Sequence, residues 1–507
     1  MGSPAGRSVK PGALAVPFNA DYPASPQRLP VRPSRKVFCD PVHGQISLHP
    51  VSVAVVDTPE FQRLRHVRQL GAVCFVYPGA SHSRFEHSLG TAHLARLLGA
   101  RLRENQPELN ITEKELLCLE LAGLCHDLGH GPFSHLWEDF YRRGARDRGL
   151  KPVWTHEAMS CKLLQHLVSV NGLQEIFDMW EVDFGQGLTA RDLKLVQALI
   201  MGDCNQDDPA RRFLFQIVNN ADSSLDVDKW DYYLRDCHAV GLTSAFQYER
   251  LVGSARVISC NGATHIAFRD KELANVYEMF RTRSRLHQSV YRHHVVALVE
   301  AMICDALLLA DEKALSFAGG VNCRLRLWET THKTALPGAT PADMEQFVAM
   351  TESFVELSVR RADASSSHPD VVRAQRLWNA LYCRFRKSSY LYQFLGSVPH
   401  RENLSAESVI QSLLTALPEA ARPQPQDLVV RLENVHWGRA EENPVKRVLF
   451  YRKALPDIPV RADDLRPRGN APTLPLQFQD SRWYILLRGQ AKPGLETYLE
   501  EYLDTLH

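Results

Sequence analysis

Cysteine is scarce in this chain: eleven residues among 507, with no C-x-x-C pair. That usage argues for free thiols in a reducing compartment over a disulfide framework. Long apolar runs are missing too. No window of about 18 uninterrupted apolar residues occurs, so no membrane span is expected. The N-terminus lacks the charged, apolar and small-residue succession of a secretory signal. A charge of one sign is also absent. The 59 basic and 58 acidic residues leave a formal charge of +1, so any phosphate recognition must come from local clusters. No internal repeat is present. The expected setting is intracellular, nucleus or cytoplasm, and 45% apolar residues are ample for a large core.

Residues 1–34 are rich in Pro, Ala, Gly and Ser without apolar periodicity, and read as a disordered tail. A hairpin is expected over Val37–Leu48, with Pro41 and Gly44 in its turn. Thr58 caps a helix opening at Pro59, whose stripe is Phe61, Leu64, Val67 and Leu70, with Arg63, Arg65 and Arg68 facing elsewhere. Apolar spacing predicts further helices over Arg84–Glu104, Thr112–Asp127, His156–Ser169, Ala190–Met201, Arg211–Asn219, Asp228–Cys237, Lys271–Leu309, Ala342–Arg361 and Val371–Phe385. Loops are expected over Ala362–Asp370 and Asp463–Pro475. Beyond the proline-rich Pro418–Gln426, strands are expected at Leu428–Leu432, Arg447–Tyr451 and Trp483–Leu487, then a helix over Gly494–Leu506. The fold class is mainly α: a large helical body over residues 35–415 and a smaller α+β lobe over 416–507, for regulation or oligomerisation.

The stretch Leu121–His135 carries the chemistry. His126 and Asp127 end an apolar run expected to stop at Gly129, and His130 and His135 follow in a Gly-Pro turn. Ionisable groups there are costly to bury without a partner, and a metal ion is the economical one. His87 upstream and Asp228 downstream complete two imidazoles and two carboxylates. That mixed set suits Mn, Fe, Zn or Ni, and Mg less well, with positions open for water and substrate. His82 and His93 read as ordinary hydrogen-bonded histidines.

The segments D-P-V-H-G, T-P-E-F-Q-R-L-R, P-G-A-S-H-S-R-F-E-H-S-L-G, A-G-L-C-H-D-L-G-H-G-P-F-S-H, W-T-H-E and D-V-D-K-W-D-Y occur in this order. Together they resemble the HD-domain phosphohydrolases, and among them the SAM- and HD-domain deoxynucleoside triphosphate triphosphohydrolases. The likeness is dense over about residues 36–300 and looser beyond. A SAM domain is not expected, residues 1–34 being too short and too polar for one. The resemblance implies water-driven release of intact triphosphate from a dNTP. His87, His126, Asp127 and Asp228 would hold a divalent ion (Zn, Fe, Mn or Mg). His130, His135 and His156 would lie over the phosphates, with His135 giving a proton to the leaving 5′ oxygen. Arg84, Lys229, Tyr232 and Arg283 match phosphate contacts. Gln69, Asp236 and Tyr291 match positions around the sugar, where Tyr291 would exclude a 2′-hydroxyl.

The same resemblance implies activation by GTP or dGTP together with a dNTP, bound between the subunits of a homotetramer. Lys36, Val37, Asp57, Gln62 and Arg65 match the guanine-reading site, and Arg250, Arg269, Lys271, Asn275 and His293 the adjoining one. Four positions depart from the family: Cys39 for Asn, Ser289 for Arg, His294 for Lys and Leu449 for Arg. Each lost charge-assisted contact would weaken activation by about 1.5–3 kcal/mol. Two other functions compete: an HD phosphohydrolase acting on another phosphate ester, and a non-catalytic nucleotide or single-stranded nucleic-acid scaffold. The basic cluster Arg142–Arg148 is the scaffold's candidate contact, although a solvated loop is its plainer reading.

Overall fold

A computed structural model describes residues 35–503 apart from 180–186, 205–207, 312–314, 317–323, 362–367, 383–389, 402–403, 466–474, 476, 493–494, 496–497 and 500–501. The chain opens with an antiparallel hairpin, β1 (Lys36–Asp40) and β2 (Gly44–Leu48). Asp40 Oδ1 organises its turn by accepting the N–H groups of Val42 and His43 at 2.9 and 2.8 Å. Helices α1 (Pro50–Val56), α2 (Pro59–Gln62), α3 (Arg84–Asn105), α4 (Glu113–Cys125), α5 (His135–Asp147), α6 (His156–Val170), α7 (Leu173–Asp178), α8 (Ala190–Met201), α9 (Val227–Val240) and α10 (Tyr248–Ser254) follow. A second hairpin, β3 (Arg256–Cys260) and β4 (Ala263–Arg269), precedes α11 (Leu273–Leu286) and α12 (His294–Asp311). Short strands β5 (Leu315–Ser316) and β6 (Arg324–Leu325) lead to α13 (Leu327–Ala335), α14 (Pro341–Ala349), α15 (Glu352–Arg361) and α16 (Pro369–Tyr382). The last part holds β7 (Tyr392–Pro399), α17 (Ala406–Ala416), β8 (Leu428–His436), β9 (Leu449–Arg452), β10 (Leu455–Val460) and β11 (Gln479–Arg488).

Helices α3 and α4 lie at the centre, and their starts were written locally. Ser83 with Glu86 and Thr112 with Glu115 are reciprocal capping boxes. A Cβ on Gly123 would stand 2.8 Å from the Thr91 carbonyl oxygen, so glycine lets the two backbones meet there. His87 and His126 sit about one turn away on each helix. The fold is mainly α with a smaller strand-bearing C-terminal region. That region interleaves with the body: β9 pairs in parallel with β4, and β7, ahead of residue 416, pairs with β11 beside β8. Among the described residues no single helix is long and apolar enough to cross a membrane, and the cysteines are free.

Several expected elements need correction. The helix expected to reach Asp127 ends at Cys125. Arg211–Asn219 is instead a 3-10 helix over Pro209–Gln216, where the Thr264 hydroxyl occupies the Pro209 and Ala210 carbonyls at 3.0 Å. Lys271–Leu309 is two helices joined by a π turn over His287–Tyr291 and bent by 60°. Ala342–Arg361 divides at Met350, whose carbonyl accepts from the Arg63 guanidinium at 3.3 Å. The cluster Arg142–Arg148 is no loop but the end of α5 and its cap. Arg143 pairs with Asp305, Arg148 with Asp311 at 3.2 Å, and Arg142 with Asp139 at 3.0 Å, so these charges are already engaged. Residues 1–34, most of the Ala362–Asp370 and Asp463–Pro475 loops and much of the Gly494–Leu506 helix fall outside the described residues.

Candidate metal centre and substrate pocket

Four side chains from three separate stretches of the chain converge where α3, α4 and α9 meet. His87 Nε2 lies 3.1 Å from His126 Nε2, 3.0 Å from Asp228 Oδ1 and 3.5 Å from Asp127 Oδ2. His126 Nε2 is 3.4 Å from Asp228 Oδ1 and 3.5 Å from Asp127 Oδ1. The far nitrogens are engaged: His87 Nδ1 donates to Asp231 Oδ2 at 2.7 Å, and His126 Nδ1 to the Gly123 carbonyl at 2.8 Å. Both Nε2 lone pairs therefore face one another and two carboxylates. Two lone pairs at that distance repel unless something positive lies between them. The cluster does draw positive charge: burial opposes it on His87, yet Asp228 and Asp231 lift that imidazole to about 10. Ligand atoms bound at about 2.1 Å stand roughly 3.0–3.4 Å apart around one ion, so the donor set fits a divalent cation. Outer hydrogen bonds of this kind fix the tautomer and aim of a metal-binding histidine.

Asp231 was not singled out from sequence, although it stands one helical turn after Asp228. It is fully buried and also accepts from Arg235 Nε and Nη2, both at 2.9 Å. Gly90 on α3 makes room for it: a Cβ there would fall 1.8 Å from Asp231 Oδ1 and 2.6 Å from Arg235 Nη2. Neither atom is free to yield, because each is held by other bonds. Gly90→Ala is expected to cost about 1–3 kcal/mol by overpacking. A thermal melt and metal analysis should show a lower midpoint and poorer ion retention together.

Residues 84–183 match the HD domain family. Three of the four converging residues lie inside that span, and Asp228 is brought to it by α9. The deoxynucleoside triphosphate triphosphohydrolase SAMHD1 of Gallus gallus is 37% identical over 447 residues, covering 84% of this chain and 68% of that protein. Its Danio rerio counterpart is 35% identical over 466 residues, 88% and 70% of the two chains. A Dictyostelium discoideum SAMHD1 homolog is 30% identical over 464 residues, 91% and 79%. The chain belongs to the SAMHD1 family.

Within this family member, the three remaining candidate histidines form a layer beside that donor set. His130 and His156 stack at 4.0 Å, and His130 Nε2 lies 3.3 Å from Asp127 Oδ1. Burial and the nearby Arg84 hold His130 well below the usual histidine range, hence neutral. Glu138 Oε1 is shared by His156 Nδ1 at 2.7 Å and His135 Nδ1 at 3.2 Å. Sequence reading missed Glu138 because helix α5 was not foreseen; His-x-x-Glu in its first turn was the available signal. The turn before α5 is strained. Phe133 and Ser134 have φ of 62° and 56°, a region costly for residues with a Cβ.

Glu352 holds that turn by accepting from Phe133 N at 3.2 Å and Arg68 N at 2.8 Å. Arg63, buried rather than turned outward, donates to the His130, Leu128 and Met350 carbonyls. Burial pushes the Glu352 carboxyl up to about 7 against the pull of Arg68 and the two amides. A raised folded-state value means stability fully present below about 4.5 and lost as pH rises through about 7, some ~3 kcal/mol in all. Glu352→Gln keeps both amide contacts, so the fall that wild-type protein shows across that window should be smaller in the variant by this contribution. Denaturant melts from pH 4 to 8 check this.

The substrate candidates divide. Asp236 accepts from the Tyr291 hydroxyl and from His82 Nε2 at 2.8 Å, so His82 belongs to the sugar candidates' network. Gln69 is buried with its side-chain oxygen unpartnered. Arg283 donates to the Tyr232 hydroxyl at 3.3 Å and to the His436 carbonyl at 3.3 Å. Arg84 is committed to Asp127, Ser134 and the Gln69 carbonyl, and Lys229 to Asp226 at 2.7 Å. The activator candidates are mostly engaged with other partners, four of them with one another. Lys36 pairs with Asp57 at 3.1 Å, Gln62 accepts from Arg65 at 2.7 Å, and Arg65 lies 3.5 Å over the Phe85 ring. Val37 is exposed. Arg250 is gripped by Glu272 at 2.9 and 3.1 Å, Asn275 donates to the Gln247 carbonyl and Lys271 lies 3.9 Å from Glu272. Arg269 leans on Asp270, and His293 stacks on His294 at 4.5 Å.

Proposed function

We propose that this chain is a metal-dependent dNTP triphosphohydrolase, releasing a deoxynucleoside and inorganic triphosphate, with guanine nucleotides as activators. The carrying observation is the pair of facing imidazole lone pairs closed by two carboxylates, in a chain with 37% identity to a dNTP triphosphohydrolase. A divalent ion held by His87, His126, Asp127 and Asp228 supplies Lewis-acid polarisation of a phosphoryl oxygen and a water acidified toward neutral pH. The chain's own residues do the rest. Arg283 and Tyr232 meet the phosphates. Tyr291, tied to Asp236, packs under the deoxyribose at C2′, with Gln69 and Asp236 toward its hydroxyl. The water oxygen joins the α-phosphorus and releases its proton to solvent, the bond from phosphorus to O5′ breaks with its electron pair on O5′, and protonated His135 delivers a proton there and is reprotonated from solvent.

Activation is weaker here than in relatives carrying the full cation set. Leu449 is buried on β9 in register with Ala267, leaving no charge at that point. Nucleotide at Asp57 and Arg65 must also displace the Lys36 and Gln62 partners described above. The test is purified protein with Mn or Mg and each dNTP, with and without GTP, products identified by chromatography and oligomer state followed by light scattering. Triphosphate with deoxynucleoside supports the proposal. Stepwise loss of phosphate, or cleavage of other nucleotide esters alone, would sink it, and tetramers indifferent to nucleotide would sink its activation half.

A further inference from the structure

The turn of the β1–β2 hairpin reaches the metal centre. Residues 40–44 were read from sequence as a motif without a chemical role. The His43 side chain is completely buried, as is that of Asp231, and His43 Nε2 stands 2.7 Å from Asp231 Oδ1. Asp231 Oδ2 stands 2.7 Å from His87 Nδ1. With Arg235 Nε on one oxygen and Nη2 on the other, the carboxylate accepts four hydrogen bonds, the full complement of its lone pairs. Every tautomer then follows. Asp231 can only accept, so His43 carries its hydrogen on Nε2 and His87 on Nδ1. His43 Nδ1 is left to face the Tyr248 hydroxyl at 3.4 Å, and His87 Nε2 is left with its lone pair toward Asp228 and Asp127. The hairpin is anchored to the same point a second way, since Arg235 Nη1 donates to Asp40 Oδ2 at 2.8 Å.

We propose that His43 is a positioning residue of the metal centre: its donated hydrogen bond fixes Asp231, and through it the aim of His87. Arg235, itself held by Asp40 Oδ2, reaches the carboxylate only from within α9, four residues further along the same helix. His43 comes from a different element and pins the carboxylate from outside α9. The strand that leads into this turn carries Lys36 and Val37, so whatever orders β1 bears on how firmly His87 is held. The proposal rests on the metal assignment above.

The test measures ion retention in the full chain without nucleotide, so it does not depend on turnover. Wild-type protein, His43→Leu and His43→Gln are loaded with Mn or Zn, and metal content and the rate of loss to a chelator are followed. Leucine fills the space without donating. The glutamine amide nitrogen takes nearly the place of Nε2. His43→Leu is expected to retain the ion about 10–100-fold less tightly, and His43→Gln to recover most of that. Should leucine prevent folding, His43→Asn, whose amide falls short of Asp231, takes its place. Equal retention in wild type and His43→Leu would overturn the proposal. So would equal loss in the Leu and Gln variants, which would make His43 a packing residue. Wild-type protein that takes up no ion would instead overturn the metal assignment itself.

Discussion

Asp127→Asn is expected to strip the centre of its ion and lower turnover by about a thousand-fold or more, several kcal/mol of Lewis-acid stabilisation at 1.36 kcal/mol per decade. The carboxylate stands against His87, His126 and His130 at 3.5, 3.5 and 3.3 Å and against the Arg84 guanidinium on the other side. Burial opposes its charge, yet Arg84 with His126 and His130 holds Asp127 well below the usual carboxylate range. An amide cannot replace it in either orientation. One flip sets an N–H₂ against Arg84, the other sets it against imidazole nitrogens that should face an ion. Breaking a buried ion pair costs about 3–5 kcal/mol. Arg84 keeps Ser134 Oγ at 2.8 Å and the Gln69 carbonyl at 3.3 Å, which places the loss at the low end. Metal analysis, product formation and a thermal melt should all move together. Full metal content with wild-type turnover would remove Asp127 from the ligand set.

The sequence spoke most clearly where one residue type has one physical use. Capping residues set the first turns of α3, α4 and α8: Ser83, Thr112 and Thr189, each answered by an acid three residues on. Strands β8, β9 and β11 followed from their β-branched and aromatic runs. Periodicity failed where a tertiary contact takes a backbone carbonyl out of the helix. The apolar stripe runs unbroken through Met350 and through Tyr291, so nothing local announced either break. The Arg63 guanidinium on the Met350 carbonyl at the first and the Tyr77 hydroxyl on the Ser289 carbonyl at the second come from elsewhere in the fold. The site shows the same division. Histidines and acids that meet an ion were legible as residue types in an apolar context. Asp231, His43 and Glu138 were not, because each acts on another side chain, and only the packing of α9, the first hairpin and α5 creates those pairs.

His135→Asn is expected to lower kcat by about 100- to 10,000-fold while leaving metal content and KM nearly unchanged. The residue opens α5 with a side chain 73% exposed, the accessibility a proton donor to a leaving group requires. Its ring lies 5.2 Å from His130 and 5.7 Å from His156, in the histidine layer next to the His87, His126 and Asp127 group. Glu138→Gln should fall less far, since it removes the charge that faces His135 Nδ1 and leaves the imidazole in place. A structural role for His135 would predict a loss common to all substrates. Proton delivery to O5′ predicts a loss that depends on the leaving group, because an alkoxide needs the proton and a thiolate does not. A dNTP analogue with sulfur at the 5′ position should therefore lose little of its rate in His135→Asn, while the natural substrate loses the full factor. Equal losses on both substrates would take the proton-donor role away from His135 and leave it a part of the pocket wall.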